Sequence, residues 1–133
     1  MMGFMNRIVR DRQGAFGIEF AIALPILVAL MIGILNFGLV FNANGSMRHA
    51  MGEGLRLAKV DPTVSDATVI ATTRSALVGV NPNAVQTLTF RRGTVNNTET
   101  GTMTMTVQLQ PIIPFAMIPP ITMTETKQIY LPS

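Results

Sequence analysis

The chain has 133 residues, and only 13% of them are charged, against about a quarter in soluble domains; with a mean hydropathy of +0.40 it is too apolar for disorder. The formal net charge is +3, and three of the ten basic residues (Arg7, Arg10 and Arg12) stand in the first 14 positions, which leaves no basic face broad enough for a phosphate backbone and argues against nucleic-acid binding. There is no cysteine, which excludes a disulfide framework and a Cys-ligated zinc site.

Residues 1–14, MMGFMNRIVRDRQG, form a short basic leader. This is the charge pattern of a targeting segment whose positive end stays in the cytoplasm, so the C-terminal part is expected to be extracytoplasmic. From Phe20 to Met47 there is no Lys, Arg, Asp or Glu, and only Asn36 interrupts the apolar stretch from Phe20 to Phe41. A hydrocarbon core of about 30 Å needs roughly 20 helical residues, and a buried core helix of this length would show a polar stripe. Residues 15–46 are therefore read as a transmembrane helix. The apolar run is too long for a cleaved signal and lacks a small-x-small site at its far end, so the span is expected to stay in the mature protein.

The helix is expected to continue beyond the membrane. Met47, Ala50, Met51, Gly54, Leu55 and Ala58 fall on one helical face, while Arg48, Glu53, Arg56 and Lys59 fall on the other. Asp61-Pro62 ends it, because the residue before a proline is pushed out of helical geometry. A second, shorter helix is expected from an N-cap at Ser65 or Asp66 through ATVIATTRSALVG, with Gly79 as its stop signal. After Asn81-Pro82-Asn83 the apolar period changes to two. Leu88 and Phe90 alternate with threonines, as do Met103, Met105, Val107 and Leu109 with threonines and glutamines. GTVNNTETG (93–101) is expected as a polar hairpin loop, Ile121 to Tyr130 as a third strand, and prolines 111, 114, 119 and 120 as an irregular connection. The fold class is thus α+β: a long N-terminal transmembrane helix continuing into a small ectodomain (47–133) with a short helix and a three-stranded antiparallel sheet, whose apolar face the long helix covers.

The most informative residues stand where the apolar run begins: Gly14, Ala15, Phe16, Gly17, Ile18, Glu19 and Phe20. A basic leader ending in Gly, then four residues, then Glu-Phe resembles the processing site of type IV pilin-like precursors, in which a prepilin peptidase cuts after the Gly. Cutting between Gly14 and Ala15 would create an α-amine with an ordinary pKa near 7.7 to 8, one helical turn from the Glu19 carboxylate. In a bundle of such helices, Glu19 of one subunit would meet the Ala15 amine of another, because a charge in lipid favours a counter-charge. The stretch GAFGIEFAIALPILVALMIGILNFGLVF, followed by MRHAMGEGLRLA, further resembles TadE-like proteins, minor pilins or pseudopilins of the tight-adherence (Flp) pilus system, over residues 14–59. Two positions depart from that pattern: Asn36 stands where an acid often precedes Phe-Gly, and Leu39 where an Arg often follows.

The resemblance implies a bacterial inner-membrane protein with its N-terminus in the cytoplasm, or a subunit incorporated in the pilus. Its implied partners are the prepilin peptidase, other pilin or pseudopilin subunits, the pilus assembly platform and membrane lipid. Glu19 and Phe20 would serve assembly. Pro25, too deep for a first-turn proline, is read as a helix kink, and Ala29, Gly33 and Gly38 as points of close helix approach. The alternative from another class is an unprocessed single-pass membrane protein with a small extracytoplasmic binding domain. No nucleophile, base and orienting residue stand together, so no enzyme, cofactor or metal is expected; His49 is the only histidine, and Asp61 and Asp66 show no acid–base or calcium pattern. Asn44-Gly45-Ser46 and Asn96-Asn97-Thr98 match a glycosylation sequon, which carries no meaning in a bacterium.

Overall fold

The computed structural model describes residues 12–114 and 116–132; most of the basic leader, including Arg7, Arg10 and Asp11, lies outside the described residues. The elements in chain order are α1 (Arg12–Val60), α2 (Asp66–Ser75), a 3₁₀ turn at Pro82–Ala84, β1 (Val85–Val95), β2 (Thr98–Leu109) and β3 (Ile121–Tyr130). The three strands form one antiparallel sheet in the order β1-β2-β3. The expected α+β architecture is the one observed. By contacts the chain divides into a unit that ends at Phe37 and a unit that begins at Gly38.

The first unit is the apolar part of α1. One helix, within Gly14–Val60, is long and apolar enough to cross a membrane, and none of its most apolar 18-residue window is buried. Phe16, Phe20 and Phe37 are each more than 60% exposed. Water does not tolerate so much contiguous apolar surface, whereas lipid is its matching solvent. The helix runs unbroken through Pro25, although that residue has no N–H to offer the Ala21 carbonyl.

The second unit is built where a helical period meets a strand period. Along α1, Ala43, Met47, Ala50, Met51, Leu55 and Ala58 are buried, and Arg48, Arg56 and Lys59 are exposed. The opposing surface is the central strand, where Met103, Met105, Val107 and Leu109 are buried and alternate with Thr102, Thr104, Thr106 and Gln108 on the other face. Phe90 of β1 and Val69 and Thr73 of α2 close the core. Burying a side chain of Met or Leu size stabilises by about 1.5–3 kcal/mol, so the core draws its stability from this helix–sheet contact. The packing starts ahead of Met47, with Leu39 and Val40 partly buried against the cluster.

Two local expectations are corrected. The short helix ends at Ser75 with Ala76 as C-cap, not at Gly79. The reason is tertiary: Leu77 and Val80 turn inward against the core, and the Val78 N–H donates to Ser46 Oγ at 3.0 Å instead of to a helical carbonyl. Gly79 sits in the following turn with a φ of +73°, the region that favours glycine. The second correction concerns residues 93–101. They are not a loop: β1 and β2 pair through Val95↔Thr98, and the turn is only Asn96-Asn97, with φ of 49° and 63°. Two consecutive left-handed residues make the mirror-image turn whose twist matches a hairpin, and asparagine tolerates that conformation better than other non-glycine residues.

Candidate functional site at the head of the apolar helix

Gly14 and Ala15 lie near the start of the described part of α1. Both residues are exposed, and a Cβ placed on Gly14 would meet nothing within 4 Å. Nothing among the described residues covers the Gly14–Ala15 bond. Glu19 follows Ala15 by four residues, a rise of about 6 Å, so the two share one helix face. Glu19 is exposed between Phe16 and Phe20 and makes no ion pair with any described residue. An isolated carboxylate on a lipid-facing helix is costly, and a cation one turn away on the same or a neighbouring helix would offset that cost.

Deeper in the helix, the Asn36 side-chain amide donates to the Ile32 carbonyl at 2.8 Å. Hydrogen bonding within its own helix is how a polar side chain is accommodated in lipid, and it takes the place of a second intramembrane charge. A Cβ on Gly33 or Gly38 would meet nothing within 4 Å, so both leave open helix surface. His49 is exposed on the polar flank of α1, and among the described residues no group of three His, Asp or Glu could hold a metal ion.

The sequence reading assigned no partners to Asp61 and Asp66, and the structure supplies structural ones. Arg92 donates from Nε to Asp66 Oδ1 at 2.8 Å, from Nη1 to the Pro62 carbonyl at 3.0 Å and from Nη2 to the Val64 carbonyl at 2.7 Å. Its guanidinium also lies 5.6 Å from the centroid of the Phe90 ring. One side chain thus ties β1 to the α1–α2 turn at three points. Asp61 accepts from the Thr63 hydroxyl at 2.6 Å and the Thr63 N–H at 2.9 Å, and these bonds hold its carboxyl below the ordinary value. A second cross-element pair joins Arg48 of α1 to Glu125 of β3 at 3.0 Å. The signal for both pairs was phase: Arg92 continues the inward set Leu88 and Phe90, and Glu125 stands between Met123 and Ile129. A charge at an inward strand position needs a partner.

A family model described as TadE-like protein matches residues 14–56. No curated protein and no solved structure matches the chain. The matched segment holds the Gly14–Ala15 bond, Glu19-Phe20, the apolar helix and most of the helical face that carries the sheet. The segment 14–56 of this chain is TadE-like.

Proposed function

We propose that this protein is a TadE-like pseudopilin, a minor pilin, that takes part in the assembly of tight-adherence (Flp) pili. It is anchored in the bacterial inner membrane by a single span, with its N-terminus in the cytoplasm and its α+β domain outside. A prepilin peptidase cuts it between Gly14 and Ala15, and the mature chain works with other pilin or pseudopilin subunits and the assembly platform. It is the substrate of an enzyme and a building part, not a catalyst. The observation that carries this reading is the set Gly14, Ala15, Glu19 and Phe20 at the head of an exposed apolar helix, inside the segment that matches the TadE-like model.

The mechanism follows from charge in an apolar medium. Cleavage turns the Ala15 nitrogen into an amine that is protonated at neutral pH. When helices pack side by side, a register that sets this cation against a neighbour's Glu19 keeps both charges paired in lipid, so the pair favours that axial stagger of subunits. The test is the intact mass of the chain expressed with and without the peptidase, together with Glu19→Gln. Loss of residues 1–14 only with the peptidase, its block in Gly14→Ala, and reduced piliation with normal membrane insertion in Glu19→Gln are the expected results. A chain that still starts at Met1 in the peptidase's presence, unaffected by Gly14→Ala, would refute processing and favour the unprocessed single-pass reading.

A further inference from the structure

We propose that the end of the ectodomain from which the span emerges is itself seated in the membrane, with Ile112, Met117 and Ile118 of the β2–β3 connection inserted among the lipid headgroups and upper acyl chains. This rests on the reading of α1 as a membrane span. Counting from Phe20, roughly 20 residues at about 1.5 Å each use up the hydrocarbon thickness, so the helix leaves it near Val40. The ectodomain begins at the same level, because Leu39 and Val40 already pack against its core and Ala43 is buried in it.

The sheet is aligned so that its loop end meets that level. Contacts between α1 and β3 climb in step: Arg48 pairs with Glu125, and farther along Gly52, Leu55 and Lys59 share a groove with Lys127 and Ile129. Extrapolated back, the start of β3 falls toward the start of the ectodomain. The end of β2 does the same, since Leu39 and Ala43 line one cavity of about 430 Å³ with Gln108, Leu109 and Gln110. The connection from β2 to β3 therefore lies at the end of the domain where the span exits.

Composition agrees with that placement. The stretches that meet at this end, residues 38–47, 76–87 and 106–124, lack Asp, Glu, Lys and Arg. The first charges met on α1 and β3, Arg48 and Glu125, are paired with each other. Among uncharged polar residues such as Asn81, Asn83 and Gln110, the surface below them exposes large apolar side chains: Met117 fully, Val78 by 73%, Ile112 by 69%. Water-facing domains rarely keep such a patch without a partner, and the bilayer that α1 enters is already adjacent. The prolines at 111, 114, 119 and 120 also remove backbone donors, which lowers the cost of setting irregular chain into a medium poor in water.

Because the chain has no cysteine, single-cysteine variants carry one label each. The full chain is prepared as Leu30→Cys, Met117→Cys and Asn97→Cys, labelled with a nitrobenzoxadiazole fluorophore, and reconstituted into phosphatidylethanolamine–phosphatidylglycerol vesicles. Their acyl chains carry bromine either near the headgroup or near mid-chain. Loss of most of the Met117 label's emission with shallow bromine, and of the Leu30 label's with deep bromine, is expected. The Asn97 label should keep its emission, since β2 carries the hairpin tip about 36 Å away at about 3.3 Å per residue. An unquenched Met117 label beside a quenched Leu30 label overturns the proposal, including the case in which another copy of the protein covers the loop. If the Leu30 label is also unquenched, the span itself is refuted and the loop's placement with it.

Discussion

Replacing Gly54 by Ala sets two effects of opposite sign against each other. In the interior of a helix, Ala is favoured over Gly by roughly 0.5–1 kcal/mol, so propensity alone makes Gly54→Ala stabilising. The structure opposes this. A Cβ at Gly54 would collide with Thr73 Oγ1 and would come within 3.1 Å of both Met103 Cε and the Val69 carbonyl oxygen. Thr73, Met103 and Val69 are all fully buried, so the neighbours have no solvent to move into. Rotating Thr73 away would break its hydroxyl's 2.9 Å bond to the Val69 carbonyl and its 3.5 Å contact with Met103 Sδ. Overpacking of this kind costs about 1–3 kcal/mol, so a net loss of about 1–2 kcal/mol is expected. Hydrogen–deuterium exchange of the β2 amides in detergent micelles reads this as a roughly 5- to 30-fold faster exchange. Thr73→Ala removes the colliding oxygen, so Gly54→Ala with Thr73→Ala should cost less than the sum of the single changes, by about 0.5 kcal/mol or more. Rescue stays partial because the Val69 carbonyl belongs to the α2 backbone. Slower exchange in Gly54→Ala, or simple additivity in the double variant, would refute the close approach of the two helices at this point.

Arg92→Lys removes the fork that spans Asp66, Pro62 and Val64, and an ammonium cannot replace three separated donors. With Arg92 30% and Asp66 48% exposed, screening limits the loss to about 1–2 kcal/mol, concentrated in the α1–α2 turn. Limited proteolysis should cut between Val60 and Asp66 sooner in Arg92→Lys than in the parent chain, with little change in the β2 amides. Asp61 gives a pH dependence of known sign. Its folded carboxyl is held below the ordinary 3.8, first by the Thr63 hydroxyl and then by the Thr63 N–H, so the turn's extra stability is present above 3.8 and fades as pH falls through the lowered value. Protection of the Thr63 amide, followed by NMR, should fall on acidification below 3.8, and Asp61→Asn should abolish that pH response.

The legible parts of this fold are those with long, uniform patterns. The charge-free run announced the exposed helix, the 3.6-residue spacing from Met47 to Ala58 marked its buried face, and the alternation at Met103 to Leu109 marked the central strand. The boundaries were less legible, because competing tertiary contacts set them. Gly79 is a stop signal in isolation, but the helix stops at Ser75, where Leu77 and Val80 gain more by packing inward and Ser46 takes the Val78 N–H. The hairpin was obscured by its polarity: Thr94, Thr98 and Thr100 look like loop residues until pairing across the Asn96-Asn97 turn assigns them to strands.

At the candidate site, sequence by itself determined nearly everything. Gly14, Ala15, Glu19 and Phe20 are read from spacing along one helix, and helical geometry alone puts Ala15 and Glu19 on a common face. Tertiary structure decided what spacing cannot encode, namely which distant residues meet. Arg92 reaches back to Pro62, Val64 and Asp66, and Glu125 reaches across to Arg48; both depend on strand phase and sheet order. It also decided that the end of β2, at Gln108 to Gln110, lies beside Leu39 and Ala43 of α1. Local interactions repeat with a period that can be counted, whereas a long-range contact depends on how the whole core packs.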